Sequence, residues 1–343
     1  MASLSLCIPG LLPPVTGLVK QDIPPIPCLE KILAHASRQR HDRQKFAGLL
    51  AGLFNLVPDE SGDYPVAPLT HLLDDITEPG DIWMRADPVH LHADQHQLIL
   101  LDQTMFNLDQ HDALVLANEV RTLLEDHDMI FEAPVSDRWY IRLKDMPDVW
   151  TTPIHDVAGR DIHRFMPQGT GKNNWAKLLN EIQMTLHNHP VNIERRQRGE
   201  LEVNSLWFWG CGHLPDNIVC EWSMICCDEE ISRACAKIAD IDCRDLTESF
   251  NNLMHDVLET DNILVIMSFG LRHRQYQDIR GWQDFIAYLE ECWFAGLLDA
   301  LGSGQLEQLT IITEGQSFTI NKSSFLKFWK RRKSILSYKS KNN

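Results

Sequence analysis

Basic residues are scarce in this chain. Lys and Arg number 32 against 48 Asp and Glu over 343 residues, a formal net charge of −16. Such a surface repels nucleic acid and anionic membranes. No nucleic-acid or membrane partner is therefore expected, and an anionic ligand needs a locally basic pocket. Long apolar runs are missing too. No stretch of about 18 apolar residues occurs, so no membrane-spanning helix is expected. The N-terminus lacks a basic region, and Pro9, Pro13 and Pro14 interrupt its apolar stretch, which argues against a secretory signal. The nine cysteines are odd in number and include no Cys-x-x-Cys pair, while Cys226 and Cys227 are adjacent. That is not a disulfide framework, so reduced thiols in a cytoplasmic protein are expected. There is no G-x-S-x-G, Walker or G-x-G-x-x-G motif. Cys211, between two glycines, is the one cysteine placed suggestively for a nucleophile, and weakly so.

What is present is enough apolar material for a core, 44 % of residues. Helical and strand patterns alternate along the chain, which favours a layered α/β fold. Strands are expected at Leu4–Ile8, around a turn at Asp81–Arg85 and Gln97–Leu101, and at Arg138–Leu143, Asn204–Trp209 and Ile263–Met267. A hairpin is expected from Leu309–Ile312 and Ser317–Ile320. Helices are expected from Pro27, over Phe46–Phe54, Asp112–Leu124, Trp175–Leu186 and Asp228–Ala239, and most clearly over Trp282–Leu301. Residues 57–69 read as a loop. Lys327, Lys330, Arg331, Arg332, Lys333, Lys339 and Lys341 make a basic tail with no acid between them, either a frayed end or a docking segment for an acidic partner.

The most informative stretch is 151–215. Thr152-Pro153-x-His155-Asp156, Pro167-x-Gly169, His189-Pro190-Val191-Asn192-x-x-Arg195, Gly199 and Asn204-x-x-Trp207-x-Trp209-Gly210-x-Gly212-x-x-Pro215 follow in fixed order. This order resembles the archaeal-type cofactor-independent phosphoglycerate mutases of the alkaline phosphatase superfamily. It looks closer still to the RpfE-like bacterial regulatory proteins. The resemblance implies an α/β, alkaline-phosphatase-like core sheet with helices on both faces, interrupted by a smaller inserted α/β domain. Core residues 1–80 and 216–330, an insert at 81–215 and a tail at 331–343 are the expected divisions.

The family chemistry uses two divalent cations, such as Mn or Mg, held by Asp and His, and a Ser or Thr that carries the phosphoryl group. Here Pro9 stands where the first metal-binding Asp is expected. Residues 46–56 contain no Ser or Thr. Ser268-Phe-Gly-Leu-Arg-His273 replaces an Asp-x-x-Gly-His element, and Thr313-Glu314-Gly315 replaces a terminal Asp-His pair. The resemblance thus implies a regulatory or sensing derivative without a metal cofactor, the alternative being an active mutase or phosphatase with displaced ligands. A small phosphorylated or carboxylated metabolite is the expected partner, because guanidinium forks suit such anions. The matching candidates are Arg85, Arg138 and Arg195, with His155 and Asp156 as a tuned imidazole pair and Asn192 and Asn204 as orienting amides. Plain structural roles stand beside these: a strand flank for Arg138, a loop clamp for His155-Asp156, turn contacts for the asparagines. Trp207 and Trp209 read as core. His187/His189 and the Asp87, His90, His92, Asp94 group are the two places with metal-like spacing.

Overall fold

The computed structural model describes residues 2–15, 17–42, 44–58, 62–74, 80–255, 261–326 and 330–338. In chain order its elements are β1 Ala2–Cys7, α1 Pro27–His35, β2 Ser37–Arg40, α2 Phe46–Leu53 and α3 Val66–Asp74. Then come β3 Ile82–Asp94, β4 Gln97–Leu101, α4 Gln110–Glu125, β5 Ile130–Glu132, β6 Tyr140–Leu143 and α5 Ile154–Val157. They are followed by α6 Lys172–His187, α7 Pro190–Gln197, β7 Ser205–His213, β8 Met224–Cys227, α8 Glu230–Ala239 and β9 Asp242–Asp245. The chain ends with α9 Phe250–Met254, β10 Asn262–Ile266, α10 Gly270–Gln275, α11 Ile279–Leu289, α12 Ala295–Ser303, β11 Leu306–Thr313 and β12 Gln316–Asn321.

These elements fall into two units, residues 1–49 with 219–343, and residues 50–218. The first is built on a seven-stranded sheet of order β2-β12-β11-β1-β10-β8-β9. β11, β1, β10, β8 and β9 are parallel to their neighbours, and β12 and β2 close one edge antiparallel. The apolar run of β10 is what a central parallel strand requires, since both its faces are covered. Leu4, Leu6, Val265, Leu309 and Ile311 pack with Trp282, Phe285, Trp293 and Leu297 in one apolar cluster. α11 and α12 form the expected long helix, interrupted by a π-helical turn at Glu290–Phe294. There Glu290 accepts the Cys28 and Leu29 amides at 2.6 and 3.0 Å, so it caps α1, whose own N-cap Ile26 has no acceptor.

The second unit is an antiparallel sheet of order β4-β3-β6-β5, with β7 also pairing β3. α4 and α6 supply Leu116, Val120, Leu179 and Ile182 to its core. The expected mixed α/β fold with a main sheet and a second smaller sheet is present.

Several details differ from the expectations. Residues 66–69 are helical, because Val66 to His71 bury a continuous apolar face as α3. α3 packs against β3 and β7 in the second unit. After α6 ends at His187, Pro190 opens a further helix, α7, that was not expected. His189 Nδ1 caps it by accepting the Val191 amide at 3.2 Å, and proline suits the first turn. Residues 330–338 are docked, not frayed: Ile335 and Tyr338 are buried, and Gln316 Nε2 donates to the Tyr338 carbonyl at 2.7 Å. Lys327, Lys339 and Lys341 lie outside the described residues. No described helix is long and apolar enough to cross a membrane.

Candidate functional site

Ligands of open parallel sheets bind beyond the C-terminal strand ends. In the first unit those ends bring together three segments far apart in sequence: Pro9-Gly10 after β1, Ser268–Arg274 after β10, and Glu314 after β11. Glu314 Oε1 accepts the Gly10 amide at 2.9 Å and pairs with Arg274 Nη1. Gly10 has φ +81°, and a Cβ there would lie 2.4 Å from the Gly270 carbonyl oxygen, so the two backbones touch only because both residues are glycine. Asp228, after β8, accepts the Ser268 and Phe269 amides at 2.9 and 3.3 Å. Burial raises its carboxyl above the usual range. Glu229 caps α8 through the Ile231 and Ser232 amides at 2.8 and 2.7 Å, and burial followed by the neighbouring Glu230 pushes it up to about 8. Burial, then Glu314, raises the Cys7 thiol. His273 Nδ1 lies 3.0 Å from Asp278, the cap of α11.

A two-cation centre needs several carboxylates and imidazoles facing one space. Here Glu314 already has a guanidinium partner. Asp228 and Glu229 hold backbone amides, and His273 is tied to a helix start. Among the described residues no group of three or more His, Cys, Asp or Glu is arranged to hold a metal. The donor set does not fit such a centre.

In the second unit, Arg85 and Arg138 meet around Asp74 and Tyr140. Arg138 grips Asp74 with a two-pronged fork, Nε at 2.8 Å and Nη2 at 2.6 Å, while the Tyr140 hydroxyl donates to the same carboxylate at 2.6 Å. Burial acts to raise Asp74, but Arg138 and Tyr140 outweigh it and hold the carboxyl below its ordinary value. Burial pushes the Tyr140 phenol up. Arg85 donates to Asp87 at 2.8 Å and to Thr70 at 3.1 Å, and its guanidinium lies 5.4 and 5.3 Å from the Tyr140 and Trp209 ring centres. Trp209 Nε1 donates to the other Asp87 oxygen at 2.7 Å. His155 stands edge-on to Trp209 at 5.4 Å, with Asp156 beside it on α5. Trp207 and Trp209 are core residues, as their spacing suggested.

Arg195 is held in a different network. It donates to the Leu201 carbonyl at 2.9 Å, the Asn107 carbonyl at 2.6 Å and Asp112 at 3.3 Å, and is 1 % exposed. Asn192, one helical turn earlier, bonds the Leu186 carbonyl and both backbone groups of Val203 at 2.9, 2.7 and 3.0 Å. Asn204 bonds both backbone groups of Leu91, extending the β3 ladder by one step. His90 is tied to the Glu202 carbonyl at 2.9 Å, and burial lowers its basicity. Asp74, Asp112 and Tyr140, partners of the arginines, were not among the candidates read from sequence, and Asp87, read there as part of a metal-like cluster, holds Arg85 and Trp209 instead. Their one sequence signal is an acid inside an otherwise apolar helix face or strand.

The family profile falls on this second unit. The profile of the 2,3-bisphosphoglycerate-independent phosphoglycerate mutase family matches residues 75–192. The enzyme of that name from Methanosarcina barkeri is 28 % identical over 116 residues, 33 % of this chain and 29 % of the relative. The one from Methanosarcina mazei is 36 % identical over 64 residues, 19 % of this chain and 16 % of the relative. The matches thus span under a third of the length of these relatives. The solved structure of the PH0037 protein from Pyrococcus horikoshii superposes with TM-score 0.51 at 13 % identity, covering 93 % of this chain and 87 % of that one, which shows a shared fold. Together with the family match, this makes the chain a distant relative of the cofactor-independent phosphoglycerate mutases.

Proposed function

We propose that this protein is a regulatory or sensing derivative of the mutase fold that does not carry out metal-dependent phosphoryl transfer. The observation that carries the reading is the part-buried Arg274–Glu314 pair beside Gly10. It joins the three segments where the resemblance expects metal ligands and supplies a permanent cation there. The regulatory half of the reading rests on the resemblance of residues 151–215 to the RpfE-like proteins. For a small phosphorylated or carboxylated metabolite, the group we favour is Arg138. Its side chain is 22 % exposed, whereas those of Arg85 and Arg195 are 4 % and 1 % exposed. Such a ligand would take the place of Asp74 on the guanidinium fork.

The test is a coupled mutase assay on 3-phosphoglycerate, with Mn or Mg restored after chelation, alongside thermal unfolding with the same compound. The expected result is no turnover in folded protein, with stabilisation by the ligand that is lost in Arg138→Gln. A ligand at 100 times its dissociation constant adds about 2.7 kcal/mol. Metal-dependent turnover would overturn the non-catalytic reading. Absence of any stabilisation would overturn the anion-binding one.

A further inference from the structure

We propose that Cys243 and Cys227 form an oxidant-sensing thiol pair, which a hydroperoxide converts reversibly into a disulfide. Their Sγ atoms are 3.9 Å apart on neighbouring parallel strands. The register pairs Ile225 with Cys243 and Cys227 with Asp245, so the two cysteines lie two residues out of step on one face of the sheet. Cys227 is buried, and Cys243 is half-buried and reachable. Among the described residues β9 is the last strand of the sheet, bonded to β8 alone. An edge strand can yield as the sulfurs close from 3.9 Å to about 2 Å.

The surroundings favour the chemistry. Arg233 Nη2 donates to the Cys227 carbonyl at 2.9 Å and to Asp245 at 2.6 Å, which puts a guanidinium across the two strands beside the sulfurs. The hydrogen bond with Cys227 and then the Arg233 charge pull the Cys243 thiol down to about 7, against burial, Asp242 and Asp245. Cys227 is buried and Cys243 half-buried, so Cys243 is the sulfur that meets an incoming oxidant. The other half-buried cysteines are inert by comparison: Cys28 is raised to about 11, and Cys220 and Cys292 are raised by burial.

The Cys243 thiolate attacks one oxygen of the hydroperoxide. The O–O bond breaks, the alcohol leaves with a proton from solvent, and Cys243 becomes a sulfenic acid. The Cys227 sulfur then attacks the Cys243 sulfur and loses its proton. The S–O bond breaks and hydroxide leaves as water. Two thiols lose two electrons in total, and the hydroperoxide is reduced to alcohol and water. An external dithiol reverses the bridge by exchange.

The test treats the reduced, desalted full-length protein with hydrogen peroxide, alkylates remaining thiols in denaturant, and maps the peptides by tandem mass spectrometry. A Cys227–Cys243 crosslink is expected, reversible by dithiothreitol and retained in Cys226→Ser. Cys227→Ser should leave a sulfenic acid on Cys243 that reacts with dimedone, and Cys243→Ser should abolish the crosslink. Each variant's thermal melt confirms that it is folded. Recovery of both cysteines alkylated in the treated protein, or first oxidation of Cys28, Cys220 or Cys292, would overturn the proposal.

Discussion

Arg274 and Glu314 form an ion pair across the C-terminal ends of β10 and β11, with the Glu314 side chain 8 % exposed and that of Arg274 23 % exposed. Glu314 also holds the Gly10 amide. Removing one member of a pair this buried strands the other charge. Arg274→Ala should therefore cost about 3–5 kcal/mol in urea unfolding. Arg274→Met with Glu314→Leu should cost much less than the single change. A double variant as unstable as the single one would mean that the pair is not what holds these strand ends.

Gly10 offers a second measurement at the same place. With φ +81° and the Gly270 carbonyl 2.4 Å from any added Cβ, Gly10→Ala should cost about 1–3 kcal/mol in backbone strain and a steric term besides. Gly80, at φ +91° with nothing within 4 Å, meets the strain alone. The melting temperature should fall further for Gly10→Ala than for Gly80→Ala.

Glu229 makes stability depend on pH in an unusual direction. Its carboxyl is raised from an ordinary 4.5 to about 8 in the folded protein. Between those values the unfolded chain releases the proton and the folded chain keeps it. This group's contribution therefore falls as pH rises through the window, by about 1.4 kcal/mol per pH unit, and levels off above the folded value. Glu229→Gln keeps one acceptor for the α8 amides and removes the titration. The difference in unfolding free energy between wild type and variant should tilt with pH in this window. A flat difference would show that Glu229 ionises at its ordinary value.

In the second unit, Asn192 and Asn204 separate by burial. Asn192→Ala removes the partner of both buried backbone groups of Val203, while the Leu186 carbonyl keeps the His189 amide, and should cost about 2–3 kcal/mol. Asn204→Ala frees part-buried groups of Leu91, and should cost about 1 kcal/mol. Neither change should alter 3-phosphoglycerate binding. Calorimetry showing lost affinity in a folded variant would return these amides to a ligand site.

The two sheets differ in how openly the sequence announces them. Asn262–Ile266 and the 282–301 helix were legible because their apolar spacing matches a covered parallel strand and a buried helix face. β8 and β9 were not: each has four residues, too few to show a period. α3 was masked by the Gly, Pro and acid content just before it. α7 was hidden because a proline can open a helix as well as close one.

Among the candidate residues, the arginines were legible as residue types but not as roles. Arg85, Arg138 and Arg195 stand where the resemblance expects anion binders. Whether a guanidinium meets a ligand or a carboxylate of its own chain depends on Asp87, Asp74 and Asp112, which lie up to 83 residues from their arginines. By itself, the sequence determined the layered α/β class and the distant mutase kinship, because these follow from local spacing and residue identity. Only the tertiary structure decided that Gly10, Arg274 and Glu314 meet, that Arg138 closes on Asp74, and that Cys227 and Cys243 touch. Contacts between distant positions are set by strand order and register, which local pattern does not encode.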